Sequence, residues 1–160
     1  MLLASCDDSE NENKVKTATV TFEGTYWDAF IDNTQYGGPL LYGSMASAYR
    51  WVDEDTQLSG GMTNAWGGQF GFSEGGIAIS NYVSSDFEHH NNFNYQLEAP
   101  SVIGGKNFAI VYCATQDDNL TTLSILDDKP HVIRSMQLCP STYLIGAATN
   151  EEARTLVIPL

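Results

Sequence analysis

Carboxylates are the side chains of this sequence whose type and number could do chemistry. Five of them lie at Asp28, Asp32, Asp53, Glu54 and Asp55. Two carboxylates facing each other across a cleft would suit glycoside hydrolysis, and several carboxylate oxygens would suit a structural Ca²⁺ ion. However, acids outnumber bases by 20 to 7, so acidic surface residues are expected throughout the chain. The sequence therefore predicts no catalytic residue, and it leaves a structural calcium ion as an open alternative.

Two other short motifs match functional sequence patterns by residue type but lie in a sequence context that does not support the function. Residues 71–75 read Gly-Phe-Ser-Glu-Gly, but a nucleophile elbow needs an apolar strand before it and a helix after it. Glycines precede this motif and a strand-like segment follows it, so we predict no nucleophilic serine. His89 and His90 are adjacent in a polar stretch; they point apart if it is extended, and nothing completes a metal-ligand spacing. We predict a solvated loop there and assign no metal.

Aromatic residues are dense between positions 26 and 72, in a stretch rich in Gly, Asn and Gln. Flat rings beside amide groups suit a planar or sugar-like ligand. The alternative is that these rings fill the core and its ends. We assign Trp51 to the core, expect Trp66 beside Gly67 and Gly68 to be exposed, and leave both interpretations open for Trp27.

The overall composition excludes several classes of function. The 160 residues carry a net charge of −13 and the seven cations are scattered, whereas nucleic-acid binding needs clustered Lys and Arg. The same charge opposes electrostatic docking on anionic lipid, and no apolar run approaches the ~20 residues that span a bilayer. With 42% hydrophobic residues, the chain is long enough for one globular domain with its own core.

The N-terminal residues are similar to the cleavage site of a bacterial lipoprotein signal. Leu3-Ala4-Ser5-Cys6 places small residues before a cysteine that would carry the lipid. A complete signal has a basic region and roughly 7–15 apolar residues before this site, so we expect a misplaced start codon or a fragment. Residues 7–13 contain no apolar side chain, which is typical of a solvated tether. We predict a signal remnant and acidic tether over 1–16, with lipidation at Cys6.

Short β-branched and apolar segments separated by turn residues predict an all-β fold. Glycine doublets punctuate the first half of the chain and permit tight turns. The predicted strands are 17–22, 77–83, 107–113, 120–126, 131–138, 142–145 and 155–158, and only 150–154 has a helix-like composition. We predict an antiparallel two-sheet sandwich, jelly-roll-like, as a single domain over 17–160.

Two cysteines remain once Cys6 carries lipid. In an exported protein, Cys113 and Cys139 could form a disulfide, or both could stay buried as free thiols. The sequence leaves both alternatives open, because the separation of the two Cα atoms decides between them.

Short motifs rich in glycine and aromatic residues run from about residue 20 to about residue 145. They lie at 22–24, 26–27, 31–33, 36–43, 49–51, 66–68, 76–82, 95–97 and 104–109. In order and spacing they resemble a family of Bacteroidota surface lipoproteins classed as a domain of unknown function. The acidic run after Cys6 is similar to the surface-export signal of such lipoproteins.

This resemblance implies a jelly-roll β-sandwich that captures a ligand at the cell surface rather than an enzyme. It also implies an outer-membrane location, near TonB-dependent nutrient receptors that include those for cobamides, the vitamin B12-type corrinoids. The family continues after its late strand with further closing strands, whereas residues 144–160 diverge from it. We therefore expect this chain to be truncated at its C terminus.

The sequence thus predicts a lipid-anchored binding module that hands a small nutrient to an outer-membrane receptor. A cobamide is the first candidate ligand, because rings could contact the corrin or base while Asn and Gln meet its amides. A carbohydrate-binding module is the alternative, and a glycoside-active enzyme is the third. The residues predicted to contact the ligand are Trp27, Tyr36, Trp66, Asn81 and Tyr82.

Overall fold

The computed structural model describes residues 16–31, 49–62, 76–90, 95–102, 104–112 and 123–150. Two helices and seven strands follow one another in these residues. They are α1 Thr25–Ile31, β1 Tyr49–Val52, β2 Leu58–Met62, β3 Gly76–Ser80, β4 Tyr82–Val83, β5 Glu98–Ala99, β6 Phe108–Tyr112, β7 Ser124–Ile125 and α2 Thr142–Asn150. The predictions for the tether, for Cys6 and for the strand at 155–158 lie outside the described residues.

The larger sheet is antiparallel throughout its described strands. They lie in the order β1-β2-β3-β6, and β7 pairs with β2 beside that path. β3 and β6 pair along their whole length, from Gly76 opposite Tyr112 to Ser80 opposite Phe108. The smaller sheet joins β4 to β5, which run parallel. Seven of the nine described elements are therefore strands, and their pairing is mainly antiparallel, which is consistent with the predicted all-β class.

β3 lies at the centre of the core because both of its faces are covered. Its side chains alternate between the two faces, as in any strand, and all five residues are buried. Ile77 and Ile79 pack with Trp51 and with helix α1. Ala78 packs on the opposite face with Leu97 and with a β6 residue. Full burial of an isoleucine contributes about 1.5–3 kcal/mol to the stability of the fold. The packing of β3 therefore stabilises the layers on its two faces.

Helix α1 covers one face of the larger sheet. It follows Gly24, whose φ of 99° lies in the left-handed region that favours glycine. The spacing of Trp27, Phe30 and Ile31 places all three on one side of the helix, and all three are buried. A seven-residue helix is too short to be stable alone, so this burial is what stabilises it.

Two predicted strands are confirmed with altered limits. The segment 77–83 covers all of β3 except its first residue and all of β4, with a break at Asn81, and the segment 107–113 contains β6. Only one face of β6 is covered among the described residues, because Ile110 is buried while Val111 is 54% exposed. The described end of the segment 120–126 contains β7.

Two other predicted strands are wrong. Residues 17–22 form no strand, although Val20 and Phe22 pack on the core. No described strand pairs with them, and Phe22 has a φ of 60°. Residues 131–138 also form no strand and are exposed throughout. A β-branched segment becomes a strand only where a neighbouring strand accepts and donates its ladder hydrogen bonds.

The predicted strand at 142–145 is wrong as well, because these residues begin helix α2. Ser141 caps the helix by accepting the Leu144 N–H on its Oγ at 3.1 Å, which is the usual role of a serine at this position. Thr142 is buried, and its Oγ1 donates to the Ser84 carbonyl at 2.6 Å. Within the described residues, no helix has the length and apolar character to cross a membrane.

Candidate functional site

A shallow hollow of about 290 Å³ lies between helix α1 and the turn that joins β1 to β2. Its walls are Tyr26 and Trp27 from the helix and Val52 from the end of β1. Its rim is the acidic turn Asp53-Glu54-Asp55. The hollow therefore combines aromatic rings with carboxylates, which are the two residue types that the sequence selected separately.

The acidic turn is held in shape by its own hydrogen bonds. The Asp53 carboxylate accepts the Thr56 N–H at 3.0 Å and the Thr56 hydroxyl at 2.6 Å. The Asp53 N–H donates to the Leu58 carbonyl at 2.8 Å, and Gln57 takes a φ of 58° to close the loop. Asp53 is therefore occupied by the turn, whereas the exposed carboxylates of Glu54 and Asp55 are free to meet a ligand.

Tyr26 supplies the accessible aromatic surface of the hollow. Its side chain is 50% exposed, and its hydroxyl accepts the Val52 N–H at 3.0 Å. Edge-to-face contacts with Trp27 and Phe30, at centroid distances of 5.0 and 5.3 Å, support the ring from behind. The ring is thus fixed in place before any ligand arrives, which lowers the entropic cost of binding.

Trp27 lies mainly in the core. It is 6% exposed, and its ring contacts Phe22 and Trp51 in T-shaped geometry at 5.1 and 5.4 Å. The sequence left open whether Trp27 belongs to the core or to a ligand site. Its burial assigns it to the core, and only a small edge of its ring lines the hollow. The assignment of Trp51 to the core is confirmed by its full burial.

The other predicted ligand residues lie elsewhere or are not described. Asn81 and Tyr82 are half-buried where β3 passes into β4, and Tyr82 packs on the core cluster that contains Trp27. The structure thus brings Tyr82 and Trp27 to one cluster, but neither Asn81 nor Tyr82 lines the hollow. Tyr36 and Trp66 lie outside the described residues.

A second polar cluster surrounds His90. Its Nδ1 lies 2.5 Å from Glu98 Oε2, and its ring stacks on Tyr95 at 3.9 Å with an interplanar angle of 5°. The imidazole side chain is 25% exposed and the Glu98 side chain 11%. The neighbouring His89 is 72% exposed and pairs with Asp86 at 2.9 Å. The prediction of a solvated loop is therefore right for His89 and wrong for His90.

The first helix is joined to the start of β6 by a third set of polar contacts. Oε1 of Glu23 accepts the N–H groups of Lys106 and Asn107 at 2.5 and 2.8 Å. Asn107 Nδ2 donates to the Phe22 carbonyl at 2.7 Å and to Asp28 Oδ1 at 2.9 Å. The hydrogen bond from Asn107, followed by the charge of Lys106, lowers the pKa of Asp28.

Sequence reasoning did not predict these contacts, because 79 to 85 residues separate the partners of the Asn107 contacts. The available signal was the pair of motifs at 22–24 and 104–109, which both belong to the series that resembles the lipoprotein family. Their side chains hold the fold together and do not line the hollow beside Tyr26.

The open alternatives of a structural calcium ion and of a Cys113–Cys139 disulfide gain no support. Within the described residues, no three His, Cys, Asp or Glu side chains come together as a metal site, and Asp32 is not described. Cys139 carries an exposed free thiol, which contradicts the alternative of two buried thiols. Its proposed partner Cys113 lies outside the described residues, so the disulfide stays a prediction.

Comparison of the chain with protein-family models, with curated proteins and with solved structures found no match in any of the three. The resemblance to surface lipoproteins therefore stays a prediction, and the function must be argued from the geometry of the chain itself.

Proposed function

We propose that this chain is a binding module that captures a small, neutral, polar nutrient in the hollow between α1 and the acidic turn. The observation that carries the proposal is the pairing of a fixed, half-exposed ring with two unoccupied carboxylates. Carboxylates accept hydrogen bonds from hydroxyl and amide groups. They repel anions, and the net charge of −13 adds to that repulsion.

Two ligand classes fit this chemistry. A cobamide is the first, because its peripheral amides would donate to Glu54 and Asp55 while Tyr26 contacts an apolar edge. A glycan is the second, and the size of the hollow favours it. About 290 Å³ is at the lower end of small-molecule sites, so the hollow takes one ring-sized group rather than a whole corrinoid.

The proposal includes the location and the finer fold. The chain would be anchored to the outer membrane through lipid on Cys6 and would pass its ligand to a TonB-dependent receptor. The two sheets would form a jelly-roll-like sandwich. The contact of Ala78 in β3 with Leu97, next to β5, supports a layered arrangement of this kind.

The test is retention of a coloured ligand by the purified chain. A cobamide stays visible after mixing and desalting, and a polysaccharide cast in a native gel slows a glycan-binding protein. Tyr26→Ala should weaken whichever interaction is found by at least about tenfold, which corresponds to about 1.4 kcal/mol. The double variant Glu54→Gln and Asp55→Asn should weaken it as well.

Asp86→Asn is the matched control, because it removes one partly exposed carboxylate charge whose side chain bonds to His89 and does not line the hollow. It should leave binding unchanged. If the Tyr26 and acidic-turn variants bind as the wild type does, the hollow is not the site. If neither class of ligand binds, the proposed capture function is wrong.

A further inference from the structure

We propose that the exposed segment 131–138 binds a second copy of this chain, with Arg134 of one copy entering the hollow beside Tyr26 of the other. The inference goes beyond nutrient capture, because it uses the shape and charge of the hollow but does not require that a nutrient binds there. It starts from the apolar side chains that the segment presents to solvent.

The segment 131–138 is exposed throughout, although much of it is apolar. Its large apolar side chains are exposed by 86% at Val132, 62% at Ile133, 59% at Met136 and 82% at Leu138. Single exposed apolar residues are common on any folded domain, but a contiguous group of them typically marks an interaction surface. The concentration of these four side chains in one short segment therefore indicates an interface with another molecule.

The position of Gln137 indicates which side of the segment faces outwards. A Cβ built on Gly104 would lie 3.2 Å from Gln137 Oε1, so this side chain is directed at the body of its own chain. Met136 and Leu138 on either side of it are both more than half exposed. The segment contains no turn or helix, and side chains two residues apart share a side of an extended backbone. Arg134 therefore lies on the outward side with Met136 and Leu138.

Arg134 specifies the chemistry of the partner. It is exposed in the middle of the apolar segment. A guanidinium group makes its strongest contacts with carboxylates, which it meets through two parallel N–H donors, and with the face of an aromatic ring. A surface that covers this segment should therefore offer an accessible ring, an apolar wall and exposed carboxylates in one place.

The hollow beside Tyr26 combines these three features. The Tyr26 ring is 50% exposed, Val52 is part of the wall, and Glu54 and Asp55 lie at the rim with exposed side chains. The volume of about 290 Å³ suits one ring-sized group, and a planar guanidinium is such a group. Every copy of the chain carries both the segment and the hollow, so a second copy supplies the complementary surface.

Charge favours this contact over a lipid membrane. The net charge of −13 opposes docking on anionic lipid. The same charge makes two copies repel each other at long range, but salt at about 0.15 M screens exposed charges over about 8 Å. The contact between Arg134 and the acidic rim is direct and opposite in sign, so it acts where the general repulsion is screened.

The experiment is sedimentation equilibrium of the full chain at about 0.15 M salt, without added ligand. A thiol reductant is present because Cys139 carries an exposed thiol that could link two copies. We expect the wild type to self-associate with increasing concentration. Arg134→Glu should weaken self-association by at least about tenfold, and the double variant Glu54→Lys and Asp55→Lys should do the same.

Two controls separate this contact from effects of net charge or folding. Lys129→Glu makes the same change in net charge at a side chain that is 79% exposed and faces Asp127, and it should leave self-association unchanged. The double variant Val132→Ser and Leu138→Ser alters only exposed side chains, so it should keep the stability of the fold and still weaken self-association.

Mixing the two charge-reversed variants tests the pairing directly. Each variant by itself brings like charges together at the contact. In the mixture, the unchanged Arg134 of one variant meets the unchanged Glu54 and Asp55 of the other, and the reversed charges also attract. A complex should therefore form between the two variants although neither associates with itself.

The outcomes distinguish this inference from nutrient capture. A wild type that stays monomeric up to about 1 mM, self-association that persists in Arg134→Glu, or variants that do not combine on mixing would each overturn the contact. Binding of the monomer to phosphatidylcholine vesicles through 131–138 would overturn it too and identify lipid as the occupant. Arg134→Glu keeps the hollow intact, so ligand retention by this variant tests capture separately.

Discussion

Gly60 in β2 has no room for a side chain, and we predict that Gly60→Ala destabilises the fold. A Cβ placed there would run into Cζ2 of Trp51 and would lie 3.0 Å from Cε2 and Cη2. The ring of Trp51 is fully buried, and its Nε1 donates to the Ile77 carbonyl at 3.1 Å. T-shaped contacts with Phe22 and Trp27 hold the same ring. It cannot move aside without losing these interactions.

The size of the effect follows from two opposing contributions to the free energy of unfolding. Overpacking a filled core costs about 1–3 kcal/mol. Replacing glycine by alanine restricts the unfolded chain and offsets about 0.4–1 kcal/mol of that. We therefore expect a net loss of about 1–2 kcal/mol, with a fall in Tm of roughly 2–4 °C for each kcal/mol in a chain of this size.

The assay is urea denaturation followed by far-ultraviolet circular dichroism, which does not depend on tryptophan emission. The control is the double-mutant cycle with Trp51→Leu, because a smaller side chain at 51 makes space for the new methyl group. The coupling energy should be favourable by at least about 0.5 kcal/mol. If Gly60→Ala is as stable as the wild type, or costs the same in both backgrounds, the packing of Trp51 on Gly60 is not as described.

Three further predictions concern the polar contacts and the anchor. Glu23→Ala should lower the free energy of unfolding by about 1–3 kcal/mol, because it removes the acceptor of two N–H groups. Glu23→Gln keeps an oxygen at this position and should lower it by less than half as much. Equal losses for the two variants would contradict this geometry. Hydrogen bonding to Asp86 raises the pKa of His89, so their pairing stabilises the fold below the unfolded pKa of 6.5 and is lost as the pH rises above it. The urea midpoints of wild type and His89→Ala should therefore converge as the pH is raised from below 6.5 to above the folded pKa. Cys6→Ala should release the expressed protein from membranes into the soluble fraction, and a variant that stays membrane-bound would refute lipidation at Cys6.

The sequence predicted those features that depend on local pattern. The alternation of Ile77, Ala78 and Ile79 predicts a strand, and a strand with both faces covered forms there. Trp51 was assigned to the core and is fully buried. The excess of acids over bases argues against nucleic acid as a partner on electrostatic grounds, and this stays a prediction.

Local pattern failed where a segment's conformation depends on its neighbours in space. Residues 17–22 and 131–138 have strand-like composition but no described strand beside them. Residues 142–145 look equally strand-like, yet Ser141 caps them as the first turn of a helix. Composition measures how well a residue fits a sheet or a helix, whereas the available hydrogen-bond partners decide which of the two forms.

The candidate sites divide in the same way between sequence and tertiary structure. The amino-acid sequence by itself determined which chemistry is present: a ring-rich N-terminal half, a run of acids at 53–55 and two adjacent histidines. Tertiary structure alone decided that Tyr26 rather than Trp27 supplies the exposed ring of the hollow, and that Glu98 reaches His90. Exposure and ligand geometry depend on contacts between elements that are distant in the chain, and such contacts exist only once the core around Trp51 has formed.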